Sequence, residues 1–152
     1  MRRAVCDTST LIRLRRGKAL HCLAGLFERI YLPVGVRDEC QDEELNRVVQ
    51  RSPFEIHEVK NILPLGMGRG EREVLSLALE LEIKTVLMDD KKGFRKAEQL
   101  GLKPMPTQNL LLLAKRSGII SSLKIVLDTM KANGESLPDS LYLKILSKAG
   151  EI

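Results

Sequence analysis

Three aspartates stand directly behind apolar runs that are typical of buried strands. Asp7 follows "AVC", and the adjacent pair Asp89 and Asp90 follows "KTVLM". Open parallel sheets bind ligands beyond the carboxyl ends of their strands, near the point where the strand order reverses. If these two strands are neighbours, we expect the three carboxylates to converge at one edge of the sheet.

A glutamate in a predicted helix is a fourth candidate. The apolar face of the helix in "GEREVLSLALELE" is carried mainly by Val74, Leu75 and Ala78. Glu71 points toward this inward side from the first turn, where the helix dipole favours an ionised carboxylate. Glu73 is expected to point away from it. Taken alone, Glu71 is better explained as an ordinary carboxylate of a helix start.

A fifth acid, Glu39, lies in the stretch "RDECQDEE". It follows Val36 by three positions and precedes Cys40, so it lies beside the packed face of a predicted helix. The other acids of this stretch are expected to be solvated: Asp42, Glu43 and Glu44. A solvated helix start also explains Glu39 by itself, so its role depends on the whole group of acids.

A group of three or four carboxylates in one cleft repels itself strongly unless a cation compensates. The only histidines, His21 and His57, fall in separate elements, which disfavours paired-histidine ribonuclease chemistry. Three cysteines without C-x-x-C spacing indicate reduced, partly buried thiols: Cys6, Cys22 and Cys40. Oxygen ligands alone suit Mg²⁺ or Mn²⁺, which substrate phosphates complete. This predicts metal-assisted hydrolysis of phosphodiester bonds.

The elements that would position these acids alternate between strand and helix patterns, which favours a parallel sheet with helices on both faces. Predicted strands cover residues 4–6, 29–33, 54–59, 84–88 and 102–106. Predicted helices cover 10–27 with a break near Gly17, 36–50, 71–82, 91–101, 107–118 with Thr107 as N-cap, 121–134 and 137–150. With 152 residues and 43% hydrophobic content we expect a single domain, residues 1–152.

The net charge of +5 is concentrated toward the N-terminus. Residues 1–37 hold eight basic and two acidic side chains, a net of +6, so the remainder nets to −1. Such a surface would bind a polyanion by releasing counterions, although a solvated helix face explains the same charges. Neither a bilayer-spanning stretch nor a signal-peptide pattern is found, so we expect a cytoplasmic protein without membrane contact.

The motifs together resemble the PIN-domain ribonucleases, most closely the prokaryotic branch that opens with Asp-Thr-Ser. The matching stretches are "VCDTSTLIRL", "LPVGVRDE", "GRGEREVLSLALELEIKTVLMDDKKGFRKAEQLGL" and, near the end, "LLLLAKRSGII" and "SLYLKILSKAGE". The resemblance implies a doubly wound parallel sheet of about four to five strands, with helices on both faces and extra C-terminal helices. It also implies endonuclease activity on single-stranded RNA with Mg²⁺ or Mn²⁺. Many members are VapC-like toxins with a protein antitoxin, and many form homodimers.

The resemblance also assigns roles to residues. The catalytic acids that bind the metal would be Asp7, Glu39, Glu71 and Asp90, with the Ser9 hydroxyl beside the first of them. Asp90 rather than Asp89 has the family's spacing to the following helix, so Asp89 is interpreted as an accessory ligand or a partner of the ligands. Thr10 replaces a frequent proline, and "GFR" lacks a basic residue that often follows the glycine.

Several basic side chains are candidate RNA contacts: Arg13, Arg15, Arg16, Lys18, Lys91, Lys92 and Arg95. With 3% aromatic residues and no tryptophan, base stacking should contribute little. RNA binding should therefore be electrostatic and strongly dependent on salt.

Two other functions stay open. A catalytically silent nucleic-acid-binding or scaffolding PIN-like protein would keep the acids without a complete metal site. A receiver-like phosphorylation domain is disfavoured, because its acid pair ends the first strand and a lysine ends its last, whereas here the pair follows the fourth strand and "LKPMP" ends without lysine. The apolar C-terminal helices would serve equally as a dimer face or as part of the core.

Overall fold

The computed structural model describes residues 2–152. Its centre is a five-stranded sheet in the order β3-β2-β1-β4-β5, in which every neighbouring pair is parallel. The strands are β1 (Arg3–Cys6), β2 (Arg29–Pro33), β3 (Phe54–His57), β4 (Thr85–Leu87) and β5 (Lys103–Met105). The chain winds outward from β1 to β3 and then to the other side for β4 and β5. The predicted doubly wound α/β fold is confirmed.

The helices follow the strands in the predicted alternation. They are α1 (Thr8–Arg16), α2 (His21–Leu26), α3 (Val34–Glu39), α4 (Glu43–Val48), α5 (Arg69–Glu80), α6 (Lys91–Gln99), α7 (Thr107–Arg116), α8 (Leu123–Ala132) and α9 (Asp139–Lys148). Helix α5 packs across β1, β2 and β4, while α7, α8 and α9 pack against one another. Helices α8 and α9 are the predicted C-terminal addition to the sheet.

The central strand β1 is buried on both faces. Ala4, Val5 and Cys6 are consecutive, and each is 0% exposed. Successive side chains of a strand point to opposite faces, so both sides of the sheet must be covered by helices. This explains why the strand is a continuous apolar run, and it makes Asp7 the first acid beyond a fully buried strand.

The predicted helix break near Gly17 is confirmed. Helix α1 ends at Arg16, and Lys18 adopts a left-handed φ of 54°. A Cβ at Gly17 would lie 2.7 Å from Met130 Cγ and 3.0 Å from Val126 Cγ1. The chain turns away from α1 at Lys18, and the missing side chain of Gly17 leaves space for α8 to pack against α1.

The prediction of one continuous helix over 36–50 was wrong. The chain leaves helical geometry at Cys40, with φ −80° and ψ 80°, and α4 begins after Asp42. The Asp42 carboxylate accepts a hydrogen bond from Leu45 N at 3.1 Å. An aspartate that caps a new helix start offers the backbone an alternative to continuing the previous helix.

The C-terminal helices complete the core. Their buried side chains are Leu123, Val126, Leu127 and Met130 on α8 and Ile145 and Leu146 on α9. Large apolar side chains of these helices that stay exposed include Ile125, at 66%, and Leu143, at 52%. A dimer face on these helices stays a prediction.

All three cysteines are free and buried, as expected of reduced core thiols. Burial raises the thiol pKa of Cys6, Cys22 and Cys40, so none is a ready nucleophile at neutral pH. In the part of the chain that the structure describes, no helix combines the length and the apolar character needed to cross a membrane.

Candidate functional site

The carboxyl ends of β1 and β4 lie side by side in the sheet. Cys6 pairs with Leu87, and Asp7 N donates a hydrogen bond to the Leu87 carbonyl at 2.9 Å. The strand order reverses at these two strands, which is where open parallel sheets bind ligands. The two strands that precede the aspartates are therefore neighbours. This was the condition for their acids to lie at one edge of the sheet.

A cleft of about 290 Å³ opens at this edge of the sheet. The start of α1, the end of α3 and the start of α5 line it with Asp7, Thr8, Ser9, Ile12, Glu39, Gly68, Gly70 and Glu71. Three of the five predicted acids, Asp7, Glu39 and Glu71, therefore border one small cavity together with the predicted Ser9. The sequence separates these acids by more than thirty residues, and the winding of the sheet brings them together.

Asp7 is the most deeply buried acid of the cleft, with 5% of its surface exposed. It is the N-cap of α1, and its Oδ1 accepts a hydrogen bond from Thr8 N at 2.8 Å. Burial raises its pKa to about 6, although the hydrogen bond from Thr8 lowers it. The negative charges of Glu71, Glu39 and Asp89 contribute to the same rise. A cation in the cleft would relieve this repulsion.

The two glutamates of the cleft approach each other across α3 and α5. Glu71, in the first turn of α5, is half-buried. Burial raises its pKa, the charges of Asp90 and Glu39 raise it further, and Lys92 lowers it. Glu39 ends α3, and a Cβ at Gly70 would collide with its Oε1. Glycine at position 70 therefore leaves the space that the Glu39 carboxylate occupies beside α5.

The expectation that Glu73 points away from the apolar face was wrong. Glu73 is 3% exposed; its Oε1 accepts a hydrogen bond from Gly35 N at 2.9 Å, and its Oε2 accepts one from Arg69 Nε at 2.8 Å. Helix periodicity predicts that a charged side chain faces solvent. The donor Gly35 N, however, lies 38 positions away in the sequence, at the start of α3. The bond ties α3 to α5 and so positions Glu39 relative to Glu71.

Asp89 lies outside the cleft, and its carboxylate is occupied by partners. Oδ1 accepts a hydrogen bond from Thr107 N at 2.8 Å, Oδ2 accepts one from Thr107 Oγ1 at 2.6 Å, and Arg13 Nη1 lies 3.2 Å from Oδ1. The prediction of Thr107 as N-cap was wrong: Pro106 holds that position, and the Thr107 hydroxyl bonds to Asp89 instead. Asp89 thus fastens the end of β4 to α7 and α1.

Asp90 is the N-cap of α6 and accepts a hydrogen bond from Gly93 N at 2.6 Å. A Cβ at Gly93 would lie 2.6 Å from Met88 Cε, so glycine lets this helix start close to the end of β4. The Asp90 side chain is exposed, and its charge acts on Glu71. Of the adjacent pair, Asp90 is therefore the one coupled to the Glu71 side of the cleft.

Two hydroxyl groups beside Asp7 have no hydrogen-bond partner among the described residues. Thr8 Oγ1 and Ser9 Oγ are buried and form no hydrogen bond with the described residues. Buried polar atoms are normally satisfied, so these hydroxyls are available to a ligand in the cleft. The Asp-Thr-Ser motif contains both residues, but only Ser9 was predicted to take part in the site.

Comparison with known families agrees with this geometry. The family model DUF3368, described as a PIN domain, matches residues 3–151. The chain belongs to the PIN-domain family. No curated protein and no solved structure matches it. PIN domains are generally nucleases and typically use divalent metal ions, which fits a cleft lined by carboxylates and hydroxyls.

The donor set of this PIN domain fits Mg²⁺ or Mn²⁺, because the cleft offers oxygen atoms and neither imidazole nor thiolate among its lining side chains. Within residues 2–152, no three acidic, histidine or cysteine side chains are already grouped to hold an ion. Unneutralised carboxylates repel each other. Holding an ion would bring the carboxylates of the cleft closer together than they lie in this structure.

The predicted RNA-contacting residues of the PIN domain fall into two groups. The arginines of α1 form ion pairs: Arg13 with Asp89 and Glu135, Arg15 with Asp42, and Arg16 with Glu135. The others are exposed: Lys18, Lys91, Lys92 and Arg95. Lys92 Nζ donates a hydrogen bond to the Gly66 carbonyl at 2.9 Å. RNA contact by either group stays a prediction.

Proposed function

We propose that this PIN domain is a cytoplasmic endoribonuclease that hydrolyses phosphodiester bonds of single-stranded RNA with Mg²⁺ or Mn²⁺. The observation that carries the proposal is the cleft that Asp7, Glu39 and Glu71 line together, with burial and like charge raising the pKa of Asp7 to about 6. Perturbed acids in a cleft favour a functional site, and their mutual repulsion favours a cation as the ligand. Membership of a family of nucleases supports the reaction class.

The residues take distinct parts in this proposal. A bound divalent ion would supply the acidified water and stabilise the leaving oxygen. Four carboxylates would hold the ion: Asp7, Glu39, Glu71 and Asp90. The unpartnered hydroxyls of Thr8 and Ser9 would donate to a phosphate oxygen of the substrate or to its attacking water. Asp89, with Thr107 and Arg13 as partners, would keep the end of β4 in position rather than bind the ion directly.

Exposed basic side chains near the cleft would hold the RNA backbone. Lys91 and Lys92 begin α6 directly after the acids of β4, and Arg95 follows on the same helix. Their positive charges would neutralise neighbouring phosphates and release counterions, so binding should weaken steeply with salt. The ion-paired arginines of α1 would contribute less, because their acidic partners already neutralise them.

The test is cleavage of a mixed-sequence single-stranded RNA by the purified protein in Mg²⁺, in Mn²⁺ and in EDTA, beside a duplex of the same sequence. We expect cleavage of the single strand with either metal and none in EDTA. Cleavage that persists in EDTA would contradict the metal site. Absence of cleavage in every condition would favour the catalytically silent alternative, which RNA binding in EDTA would then detect.

We also propose, on the resemblance of the motifs, that the protein is the toxin of a toxin–antitoxin pair and forms a homodimer. Induced expression of the wild type should then arrest bacterial growth, and the Asp7→Asn variant should not. Normal growth would remove the toxin role without affecting the nuclease proposal. Sedimentation should give twice the chain mass of 17.1 kDa, and a monomer would contradict the dimer.

A further inference from the structure

A second and larger cavity, of about 510 Å³, lies among α1, α6, α7, α8 and α9. Its apolar wall includes the buried side chains of Leu111, Leu127 and Met130. The exposed cations Lys91 and Arg95 also line it. The volume lies within the range of about 300–1,000 Å³ typical of small-ligand pockets, which combine apolar walls with a few polar groups. It therefore suits a largely apolar group with an anion beside Lys91 and Arg95.

Phe94 makes one wall of this cavity. Within the described residues its ring is half-buried, yet it does not belong to the apolar side chains that pack against the core. A phenylalanine that stabilises a fold normally buries its ring in that core. The Phe94 ring instead offers an apolar face to whatever enters the cavity.

The cavity and the acidic cleft are neighbours along α1. Ile12 lines the cleft, and the next residue, Arg13, lines the cavity. Asp89 and Lys91, at the turn between β4 and α6, also line the cavity. A polynucleotide that places a phosphate in the cleft would therefore bring a neighbouring nucleotide to the cavity as it passes α1.

We propose that the cavity binds one unpaired nucleobase of the RNA, next to the nucleotide whose phosphate lies in the acidic cleft. This inference rests on the proposed function and extends it to substrate selection. Phe94 and Leu111 contact the base, the Gln108 amide supplies a donor and an acceptor for its edge, and Lys91 and Arg95 neutralise the adjoining phosphates. A base paired within a duplex cannot enter, so the cavity selects single-stranded RNA.

A pair of tryptophan substitutions tests the cavity. Ser136 is exposed and lines the cavity, so Ser136→Trp fills it without disturbing the core. Ser140, exposed at the start of α9 and outside the lining, gives the matched control Ser140→Trp. Stacking and burial of one base correspond to about a tenfold change in affinity. In EDTA, Ser136→Trp should bind a short single-stranded RNA about tenfold more weakly than Ser140→Trp.

A second measurement shows that a base, rather than the backbone, occupies the cavity. A series of the same RNA with one abasic residue at successive positions should contain one member that the wild type binds about tenfold more weakly. Ser136→Trp should bind that member and the intact RNA equally, because the two changes remove one interaction. Equal binding of the intact RNA by the two tryptophan variants would overturn the proposal. So would a wild type that is indifferent to abasic residues at every position.

The two proposals fail separately. Binding in EDTA needs no cleavage, so a protein that discriminates abasic RNA but never cuts it keeps the cavity assignment and loses the nuclease. A protein that cuts RNA with metal but ignores abasic residues keeps the nuclease and loses the cavity assignment.

Phe94→Leu, which removes the ring and keeps apolar volume, should reproduce part of the loss of RNA affinity seen for Ser136→Trp.

Discussion

The acids that line the cleft and the acids that follow β4 differ in their surroundings. Asp7 and Glu71 lie in a cleft with other carboxylates, and burial and like charge raise the pKa of both. Asp89 is matched by two bonds from Thr107 and by Arg13. Asp90 combines both features, with a bond from Gly93 and a charge that acts on Glu71. Acids whose oxygens accept hydrogen bonds or form ion pairs stabilise the fold. Acids that lie near other acids repel each other, and these are the candidates to bind a cation.

The largest effect should come from removing the buried charge of the cleft. Asp7→Asn keeps an N-cap acceptor for α1 but loses a metal ligand, so metal-dependent RNA cleavage should fall by roughly a thousandfold or more. Single-turnover cleavage measures this. Asp128→Asn, on α8 and outside the lining of the cleft, is the matched control and should cleave like the wild type. Wild-type cleavage by Asp7→Asn would break the distinction between the two sets of acids.

The adjacent pair at the end of β4 should separate catalysis from stability. Asp90→Asn retains the cap of α6 and loses a charge near Glu71, so cleavage should fall about a hundredfold with little change in unfolding free energy. Asp89→Ala leaves both Thr107 donors without their acceptor and removes one of the two acids that pair with Arg13, so it should lower the unfolding free energy by about 3 kcal/mol. Urea denaturation and cleavage per folded molecule measure both. A loss of cleavage in Asp89→Ala together with a loss of stability in Asp90→Asn would instead make Asp89 the metal ligand.

The pH dependence of the stability of the metal-free protein tests the same difference between the two sets of acids. Asp7 has a pKa of about 6 in the folded state against an ordinary 3.8, so its protonated form favours the folded state at low pH. That contribution is lost as the pH rises through about 6, and the gap between the two pKa values corresponds to at most about 3 kcal/mol. The difference in unfolding free energy between wild type and Asp7→Asn, measured in EDTA, should therefore change over this range. A difference independent of pH would contradict the raised pKa.

A smaller effect should come from the glycine beside Glu39. Gly70→Ala adds a methyl that displaces the Glu39 carboxylate, while alanine favours the helix by about 0.5–1 kcal/mol. Affinity for Mn²⁺ should fall about tenfold without loss of stability. Ser140→Ala, at an exposed position of α9 outside the lining of the cleft, is the control. Equal Mn²⁺ affinity in calorimetric titrations of the two variants would show that Glu39 does not bind the ion.

The sequence was informative where the signal is local. A buried apolar strand ends at its first acid, so Asp7 and Asp89 could be placed at strand ends from the pattern alone. The phase of α5 placed Glu71 on its inward side. These positions follow from periodicity and from the parallel sheet, in which carboxyl ends share one edge.

The missed features depend on partners far along the chain. Glu73 is buried because Gly35 supplies a donor 38 positions away, and Thr107 gives its hydroxyl to Asp89, 18 positions earlier. Local periodicity carries no information about such donors. Phe94 is another such case. The pattern of its helix gives no information about the cavity that its ring lines together with side chains of α7, α8 and α9.

Thermal unfolding in EDTA and in excess Mn²⁺, for wild type, Asp7→Asn and Asp128→Asn, tests the metal-binding cleft most directly. A ligand that binds only the folded state raises the melting temperature. We predict that Mn²⁺ raises it for the wild type and Asp128→Asn. Asp7→Asn should unfold at a higher temperature than the wild type in EDTA and gain little from the metal. An equal rise in all three proteins would contradict a metal site at Asp7, because the ion would then bind elsewhere.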